Sequence, residues 1–449
     1  MTTGTTSTTT LWSPRRSRAG CPPHRPQVAM ADRPRTGRVA AVFPALAVRN
    51  YRWFVACNLV GNSATWMQRV ALDWAVLEAS GSAVLVGIAT MLQFGPLLVF
   101  GLLGGAVVDR FSRRSLLVLT QGIASALSVV LGILHLSGAA TLPVLLVASA
   151  ARGLLTVVDN PARHAIVGDL VGRDLMPAAI SLNASVFQLG RLIGPVLSGA
   201  AIASIGAGWS FVANGVACAL MVIGLLRSRP DEMFEEPRSA SDDGIGQGLA
   251  TVRAIPLVGW TIMLVGIVSV SALNLPVLLT SLARESPGTG ALDYGLFTTL
   301  CAVGALIGAV LLAHRPFVSF TRVVGAAAVL GVVQTLLALP DQLVTAACLV
   351  GVGFFGQTFL TSSNAFVQRS VPSATRGRVM ALYLMLLLGG QALGGPLAGL
   401  VVEHLGLRQA IAASGLAALT AALATAMVVR SGRGPVVSED TGPRSAVER

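Results

Sequence analysis

Arg69 and Asp73 are two ionisable residues in a long apolar stretch, and their spacing suits proton chemistry. Being four residues apart, they lie on the same face of a helix. A carboxylate held near a cation in a cavity can take up a proton from outside and, once neutral, release its arginine. The same pair also suits a structural role, in which the two charges neutralise each other, or a direct contact with a substrate.

Three further charges interrupt apolar stretches. Arg152 stands about ten residues into its stretch, near the middle of a membrane at about 1.5 Å per residue. There it can attract an anionic group of a substrate or pair with Asp73. Asp159 and Arg191 lie nearer one end, and the proline in Asn160-Pro161 removes a helical amide, which predicts a kink suited to a gate. A fixed salt bridge between helices explains these last two charges equally well.

These charges must be positioned by apolar segments of about the 20 residues that cross a bilayer. The chain has 449 residues, of which 53% are hydrophobic and 12% are charged, and this composition excludes an ordinary soluble protein. We predict an all-α membrane protein with twelve transmembrane helices in two six-helix bundles. The predicted spans are 52–77, 83–108, 115–136, 142–167, 178–204, 208–228, 256–280, 292–314, 321–340, 342–364, 378–402 and 407–430.

The 32 basic residues are all arginine, and they alternate between the gaps that separate the spans. Both tails and every second gap are arginine-rich, whereas the other gaps hold only Arg284 and Arg408. Because cytoplasmic loops retain arginine, both termini are expected in the cytoplasm and the protein in the cell (inner) membrane. The net charge of +12 then reflects loops that meet lipid headgroups, and nucleic acid is not an expected partner.

Polar segments divide the chain into domains. Residues 1–48 and 431–449 are predicted cytoplasmic tails, and the first is rich in Thr, Pro and Arg and is expected to be disordered. Residues 229–255 are predicted to be a flexible cytoplasmic linker. It joins an N-terminal bundle at 49–228 to a C-terminal bundle at 256–430.

The gap after the second span has the pattern Gly-x-x-x-Asp-Arg-x-x-Arg-Arg. A loop that only orients the chain needs arginines alone. Here Gly105 permits close helix approach, and Asp109 can meet a helix N-terminus or an arginine. With Arg110, Arg113 and Arg114, these residues are expected to latch two helices at the cytoplasmic side.

A Gly-Pro motif occurs at matching places in the two halves. The fifth span contains Gly190, Gly194-Pro195 and Gly199, and the eleventh contains Gly395-Pro396 and Gly399. The repetition predicts a duplicated architecture of two parallel repeats, which is typical of transporters.

These motifs resemble those of the major facilitator superfamily. The 105–114 loop is similar to the signature between the second and third helices of that family, with Ser112 at the place of its second glycine. The fifth span resembles the motif of its proton-coupled exporters, with Ser198 at the place of one glycine. The segments 66–74, 159–163 and 376–383 are similar to the branch that contains the enterobactin exporter, drug:proton antiporters and the transmembrane secretion effectors.

The resemblance implies export by alternating access, driven by a proton gradient and without a cofactor or a metal. We therefore expect a monomeric transporter, not an enzyme, that moves a small apolar or amphipathic molecule, drug-like or siderophore-like, through the lipid bilayer. The resemblance makes the cavity the place for Arg69, Asp73 and Arg152, with Asp159 and Arg191 as further proton or substrate candidates. Uptake or facilitated transport by the same fold, and a membrane partner that transports nothing, remain alternatives.

Overall fold

The computed structural model describes residues 44–234, 246–286, 290–313 and 319–431, together with Met1. Residues 2–43 and 432–449 of the predicted tails, and the middle of the predicted linker at 229–255, lie outside the described residues. The disorder predicted for the first tail, the flexibility predicted for the linker and the proposed domain boundaries therefore stay predictions.

The described residues contain twelve long helical segments, which confirms the predicted all-α membrane fold. Three shorter helices, Pro44–Ala47, Pro230–Glu232 and Gly246–Ala254, flank them. The long segments are α1 Arg49–Ser80, α2 Ala83–Arg110, α3 Arg113–Leu136, α4 Leu142–Gly172, α5 Asp174–Ile205, α6 Gly208–Arg227, α7 Pro256–Glu285, α8 Ala291–Ala313, α9 Phe320–Leu336, α10 Gln342–Ser370, α11 Ser373–Leu405 and α12 Leu407–Arg430.

Among the described residues, ten of these helices are long and apolar enough to cross a membrane by length and composition. The other two are α9, which is apolar but has only 17 residues, and α1, which has 32 residues but is more polar. Both are nevertheless members of the bundles. Helix α1 packs against α5 and α6, and α9 packs against α10 and α12.

The chain leaves helical geometry between α4 and α5 at Gly172, which has φ 70° and ψ 178°. A side chain at this φ is strained, so glycine is the residue that fits. Pro161 lies within helical backbone, and the kink predicted at Asn160-Pro161 stays a prediction. A buried helix can lose one hydrogen bond to a proline and continue, because packing holds it in place, whereas a left-handed residue ends it.

Helix α7 is broken into Pro256–Ser271 and Leu275–Glu285. Backbone groups freed inside a membrane need new partners. Asn274 supplies them, because its Nδ2 donates to the carbonyl oxygens of Ser269 and Val270, each at 2.8 Å.

The twelve helices have two faces, which we name by their arginine content. The arginine-poor face holds the turns at 81–82, 137–141, 206–207, 337–341 and 406, and the arginine-rich face holds the loop at 111–112 and the turn at 371–372. On the arginine-rich side, each apolar cluster comes from a single bundle, one around Ile166 and the other around Val265. On the arginine-poor side both clusters are mixed, because Val277 joins the N-terminal cluster and Val70 joins the C-terminal one. The two bundles are therefore packed together at the arginine-poor face.

Candidate functional site

Asp73 lies near the arginine-poor end of α1, with 1% of its surface exposed. Gln93 Nε2 of α2 donates to its Oδ1 at 3.3 Å, and the hydroxyl of Tyr294 in α8 donates to its Oδ2 at 3.1 Å. Tyr294 belongs to the other bundle, so this carboxylate connects the two bundles through one hydrogen bond. Tyr294 was missed by the sequence analysis, and its only signal there is that the chain has just three tyrosines.

Arg69 stacks on aromatic rings instead of forming a close ion pair. Its guanidinium carbon is 4.7 Å from the ring centroid of Trp66 and 5.1 Å from that of Phe94. The charge of Asp73 acts on it, but within the described part of the chain no carboxylate lies at ion-pair distance from Arg69. The close pair that the i, i+4 spacing suggests is therefore not formed, because the aromatic faces hold the guanidinium away.

Arg191 and Arg152 complete a group of three arginines. Arg191 Nη1 donates to Gln357 Oε1 in α10 at 3.5 Å, and its guanidinium carbon is 5.7 Å from the ring centroid of Trp66. Arg152 is close enough for its charge to act on Arg69. The suggested pairing of Arg152 with Asp73 is not observed, since both carboxylate oxygens of Asp73 face neutral donors.

Asp159 is held in a network that stays within the N-terminal bundle. It accepts from Arg163 at 2.9 and 3.2 Å, from Gln121 at 2.6 Å and from Thr120 at 3.0 Å. Arg163 Nη1 also donates to Asn58 Oδ1 in α1 at 2.7 Å. Within the described residues, Asp159 pairs with Arg163 of its own helix, and not with another helix or with Arg191 as the alternative of a salt bridge between helices required.

The glycines of the duplicated motif form the two seams between the bundles at the arginine-poor face. A Cβ at Gly295 of α8 would lie 2.8 Å from the Cα of Gly199 in α5. A Cβ at Gly395 of α11 would lie 2.7 Å from the carbonyl oxygen of Gly87 in α2, and one at Gly399 would lie 2.6 Å from the carbonyl oxygen of Ala83. Backbones approach this closely only where the side chain is absent.

The two remaining glycines of the motif pack inside the N-terminal bundle. Gly190 and Gly194 face the backbone of α1, at Asn62 and Ser63. The prolines that follow the central glycines, Pro195 and Pro396, lie within α5 and α11. The sequence motif thus serves close packing in both halves.

Two charged residues of the C-terminal bundle grip the turn between α1 and α2, and we call this set the turn clamp. Glu403 Oε1 accepts from Ser82 Oγ at 2.5 Å and from the amide of Val84 at 3.1 Å, at the N-terminus of α2. Arg284 Nη1 donates to the carbonyl oxygen of Gly81 at 2.7 Å, at the C-terminus of α1. The helix dipole favours both contacts, because the negative Glu403 lies at a helix N-terminus and the positive Arg284 at a helix C-terminus.

The predicted latch at 105–114 is anchored only to its own bundle in this structure. Arg113 pairs with Asp169 at 2.5 Å, and Arg114 donates to the carbonyl oxygen of Leu225 at 2.8 Å. Asp109 and Arg110 are exposed, and neither has a hydrogen bond or ion pair within the described ranges. A Cβ at Gly105 would meet open space, so the close approach expected there is not made in this state.

The arrangement combines a closed arginine-poor end with a more open arginine-rich end. On the arginine-rich side each apolar cluster comes from one bundle, whereas both clusters on the arginine-poor side contain residues of the two bundles. Trp66, Arg69, Phe94, Arg152 and Arg191 are partly exposed between these two ends. Such a chamber can bind a solute, with the carboxylate of Asp73 behind it. The described residues contain no group of His, Cys, Asp and Glu side chains that would hold a metal.

A comparison with protein families matches residues 40–444 to the model described as transmembrane secretion effector. Among curated relatives, the chain is 22% identical to the staphyloferrin A transporter of Staphylococcus aureus, over 74% of this chain and 85% of that protein. It is 28% identical to the multidrug efflux pump Tap of Mycolicibacterium fortuitum, over 75% and 85%. It is 24% identical to the enterobactin exporter EntS of Shigella boydii, over 80% and 84%.

Solved structures of transporters share the fold. The nucleoside transporter NupG superposes with a TM-score of 0.70 at 12% identity, and the match covers 85% of this chain and 99% of that one. At this identity, the match shows the arrangement of helices alone.

Proposed function

The chain belongs to the transmembrane secretion effector family of the major facilitator superfamily, and from this premise we propose that it exports a small amphipathic molecule in exchange for protons. Its relatives include siderophore and drug transporters, which supports a substrate of drug-like or siderophore-like size. The protein is a multi-pass membrane transporter. We further propose that the arginine-rich face and both termini lie in the cytoplasm of a bacterial cell.

With this orientation, the described state is closed to the outside and open to the cytoplasm. The glycine seams and the turn clamp close the outer end, while the 105–114 latch is free of the C-terminal bundle. In the alternate state, the seams part and Asp109 and Arg110 engage the other bundle at the cytoplasmic side. Alternating between these states carries the solute outward.

The position of Asp73 is the observation that supports proton exchange. Its carboxylate is buried behind the outer closure, and it accepts from a tyrosine of the opposite bundle. As an anion it holds Tyr294 and favours the outer-closed state. When the outer end opens, Tyr294 moves away and the carboxylate meets outside water, where it takes up a proton. Its return to the inner-open state carries that proton inward and releases it towards the cytoplasm.

Transport by inside-out membrane vesicles tests this function. Vesicles containing the protein are given an imposed proton gradient and supplied with staphyloferrin A, enterobactin or the efflux dye ethidium. We expect at least one of these to accumulate, and to be lost from the vesicles when a protonophore is added. Entry of the solute only to equilibrium, at a rate that the protonophore does not change, would contradict proton exchange and favour facilitated transport.

Two matched variants locate the proton carrier. Asp73→Asn keeps the shape of the side chain but cannot exchange a proton, so we expect it to abolish gradient-driven accumulation while downhill exchange of the solute continues. Asp341→Asn makes the same change at an exposed residue that caps α10 by accepting from the amide of Val344 at 2.8 Å. Asparagine also caps helices well, so this control should transport normally. Equal transport by the two variants would remove Asp73 from the mechanism.

A further inference from the structure

The charges that face the chamber are unbalanced. Arg69, Arg152 and Arg191 are each partly exposed. The carboxylate that acts on this group is Asp73, and it is already bonded to Gln93 and Tyr294. Asp159 does not compensate them, because Arg163 holds it in its own network. Within the described part of the chain, three guanidinium groups thus face one carboxylate.

A positive surplus inside a membrane is costly unless an anion neutralises it. Arginine is also the side chain best suited to bind carboxylate, sulfonate or phosphate groups, since its planar donors match their oxygens. We propose that the transported solute carries an anionic group that binds among these three arginines. This inference rests on the proposed export function and names the class of its substrate.

Trp66 adds an aromatic surface to the same place. The guanidinium carbons of Arg69 and Arg191 lie 4.7 and 5.7 Å from the centroid of its ring, so the two cations are within about 10 Å of each other. Two like charges over one ring repel each other, and an anion between them removes that repulsion. Phe187 meets Trp66 edge-on at 6.0 Å, and Phe94 lies on the other side of Arg69. The solute is therefore an amphipathic anion with a flat apolar part.

The depth of the arginines distinguishes a solute from a lipid headgroup. Arg152 is ten residues from the first residue of α4, which at about 1.5 Å per residue is about 15 Å inside the arginine-poor end. Headgroups lie at the membrane surface, about 15 Å from the bilayer centre. Arg191 lies between the two bundles, because it contacts Gln357 of the opposite bundle.

Binding of three probes that differ only in charge tests the inference. The full-length protein is placed in phosphatidylcholine nanodiscs, and binding of naphthalene-2-sulfonate, 2-naphthalenemethanol and 2-naphthylmethylammonium is measured by calorimetry. We expect the sulfonate to bind about tenfold more tightly than the alcohol, and the ammonium to bind most weakly. An ammonium or alcohol that binds as tightly as the sulfonate, or no binding of any probe, would overturn the proposal.

Variants at the arginines provide the second measurement. Arg69→Gln, Arg152→Gln and Arg191→Gln should each weaken sulfonate binding by about tenfold and leave alcohol binding within about twofold. Arg229→Gln is the matched control, because Arg229 pairs with Glu232 on the exposed surface. Equal losses in the control and the three variants would contradict a specific site.

Repeating the titration in phosphatidylglycerol nanodiscs separates the two sources of an anion. Unchanged sulfonate affinity supports a solute site, whereas displacement by the anionic lipid would show that a headgroup occupies it and would overturn the assignment to a transported solute. No proton gradient is present in these experiments. Failure of proton-driven transport, with anion-selective binding intact, would therefore refute the proposed exchange mechanism and leave the substrate class standing.

Discussion

The seam between α2 and α11 predicts that one methyl group shifts the balance between the two states of the transporter. In Gly87→Ala, the added Cβ would overlap the carbonyl group of Gly395 and would lie 2.6 Å from the nitrogen of Pro396. These are backbone atoms, which cannot move aside by changing rotamer. The helices can accommodate the methyl group only by separating, and separation of this seam opens the arginine-poor end.

The size of the effect follows from the cost of overpacking. An extra methyl group in a well-packed interface costs about 1–3 kcal/mol. Only the closed seam bears this cost, so the equilibrium should move towards the outer-open state by about fivefold to about 140-fold. The control is Gly95→Ala in the same helix, because a Cβ there meets no atom within 4 Å.

Spin-label distances across the arginine-poor face measure this shift. Ser137 in the N-terminal bundle and Leu343 in the C-terminal bundle are both exposed there, and both can carry labels once the native cysteines are replaced by alanine. We expect Gly87→Ala to increase the fraction of long distances, and Gly95→Ala to keep the parental distribution. If Gly87→Ala folds, inserts and gives the same distance distribution as the control, the seam between α2 and α11 does not hold this face closed.

Three other contacts give predictions of different size. Tyr294→Phe removes the hydroxyl that donates to the carboxylate of Asp73. A hydrogen bond to a charged group contributes about 1.5–3 kcal/mol, so the spin labels should report more outer opening than in the parent protein. An unchanged distance distribution would argue against a stabilising bond between the bundles. Arg163→Gln removes the cation that pairs with the partly buried Asp159, which keeps its bonds to Gln121 and Thr120, and should lower the unfolding free energy by about 1.5–3 kcal/mol. The exposed pair of Arg229 should cost no more than about 1 kcal/mol in Arg229→Gln. Melting temperatures in detergent measure the difference, and equal values for the two variants would contradict the role of burial. Glu403→Gln removes the negative charge at the N-terminus of α2 and should shift the equilibrium towards the outer-open state by only about twofold to fivefold. A shift as large as that of Gly87→Ala would mean that the turn clamp, and not the glycine seam, closes this face.

The architecture could be predicted from sequence because its causes are local. Membrane thickness determines the length of each apolar stretch, and the alternation of arginine-rich and arginine-poor gaps indicates on which side of the membrane each connection lies. The duplicated glycines lie at close helix contacts, which is a common position of glycine in membrane helices. The break at Gly172 was not predicted, because glycine also occurs inside membrane helices and only the backbone shows that this one has a positive φ.

Only the charged residues of the candidate site could be predicted from the sequence. Arg69, Asp73, Arg152 and Arg191 are conspicuous because they interrupt apolar stretches. Their partners were not predictable, because Tyr294 is more than two hundred residues away from Asp73 in the chain. The turn clamp was missed for a similar reason. Glu403 and Arg284 stand at helix ends, where charged residues are ordinary, and only the meeting of the two bundles places them on the same turn.

The network around Asp159 is built entirely from α1, α3 and α4, and this has a consequence for the rest of the cycle. Both charges of the Asp159–Arg163 pair belong to one helix, so their attraction to each other is unchanged when that bundle rotates as a rigid body. The contacts of Asp73 with Tyr294 and of Arg191 with Gln357 join different bundles, so rotation of one bundle against the other changes them. Contacts of this second kind can couple a change of charge to the motion, which the pair within one helix cannot do through its own attraction.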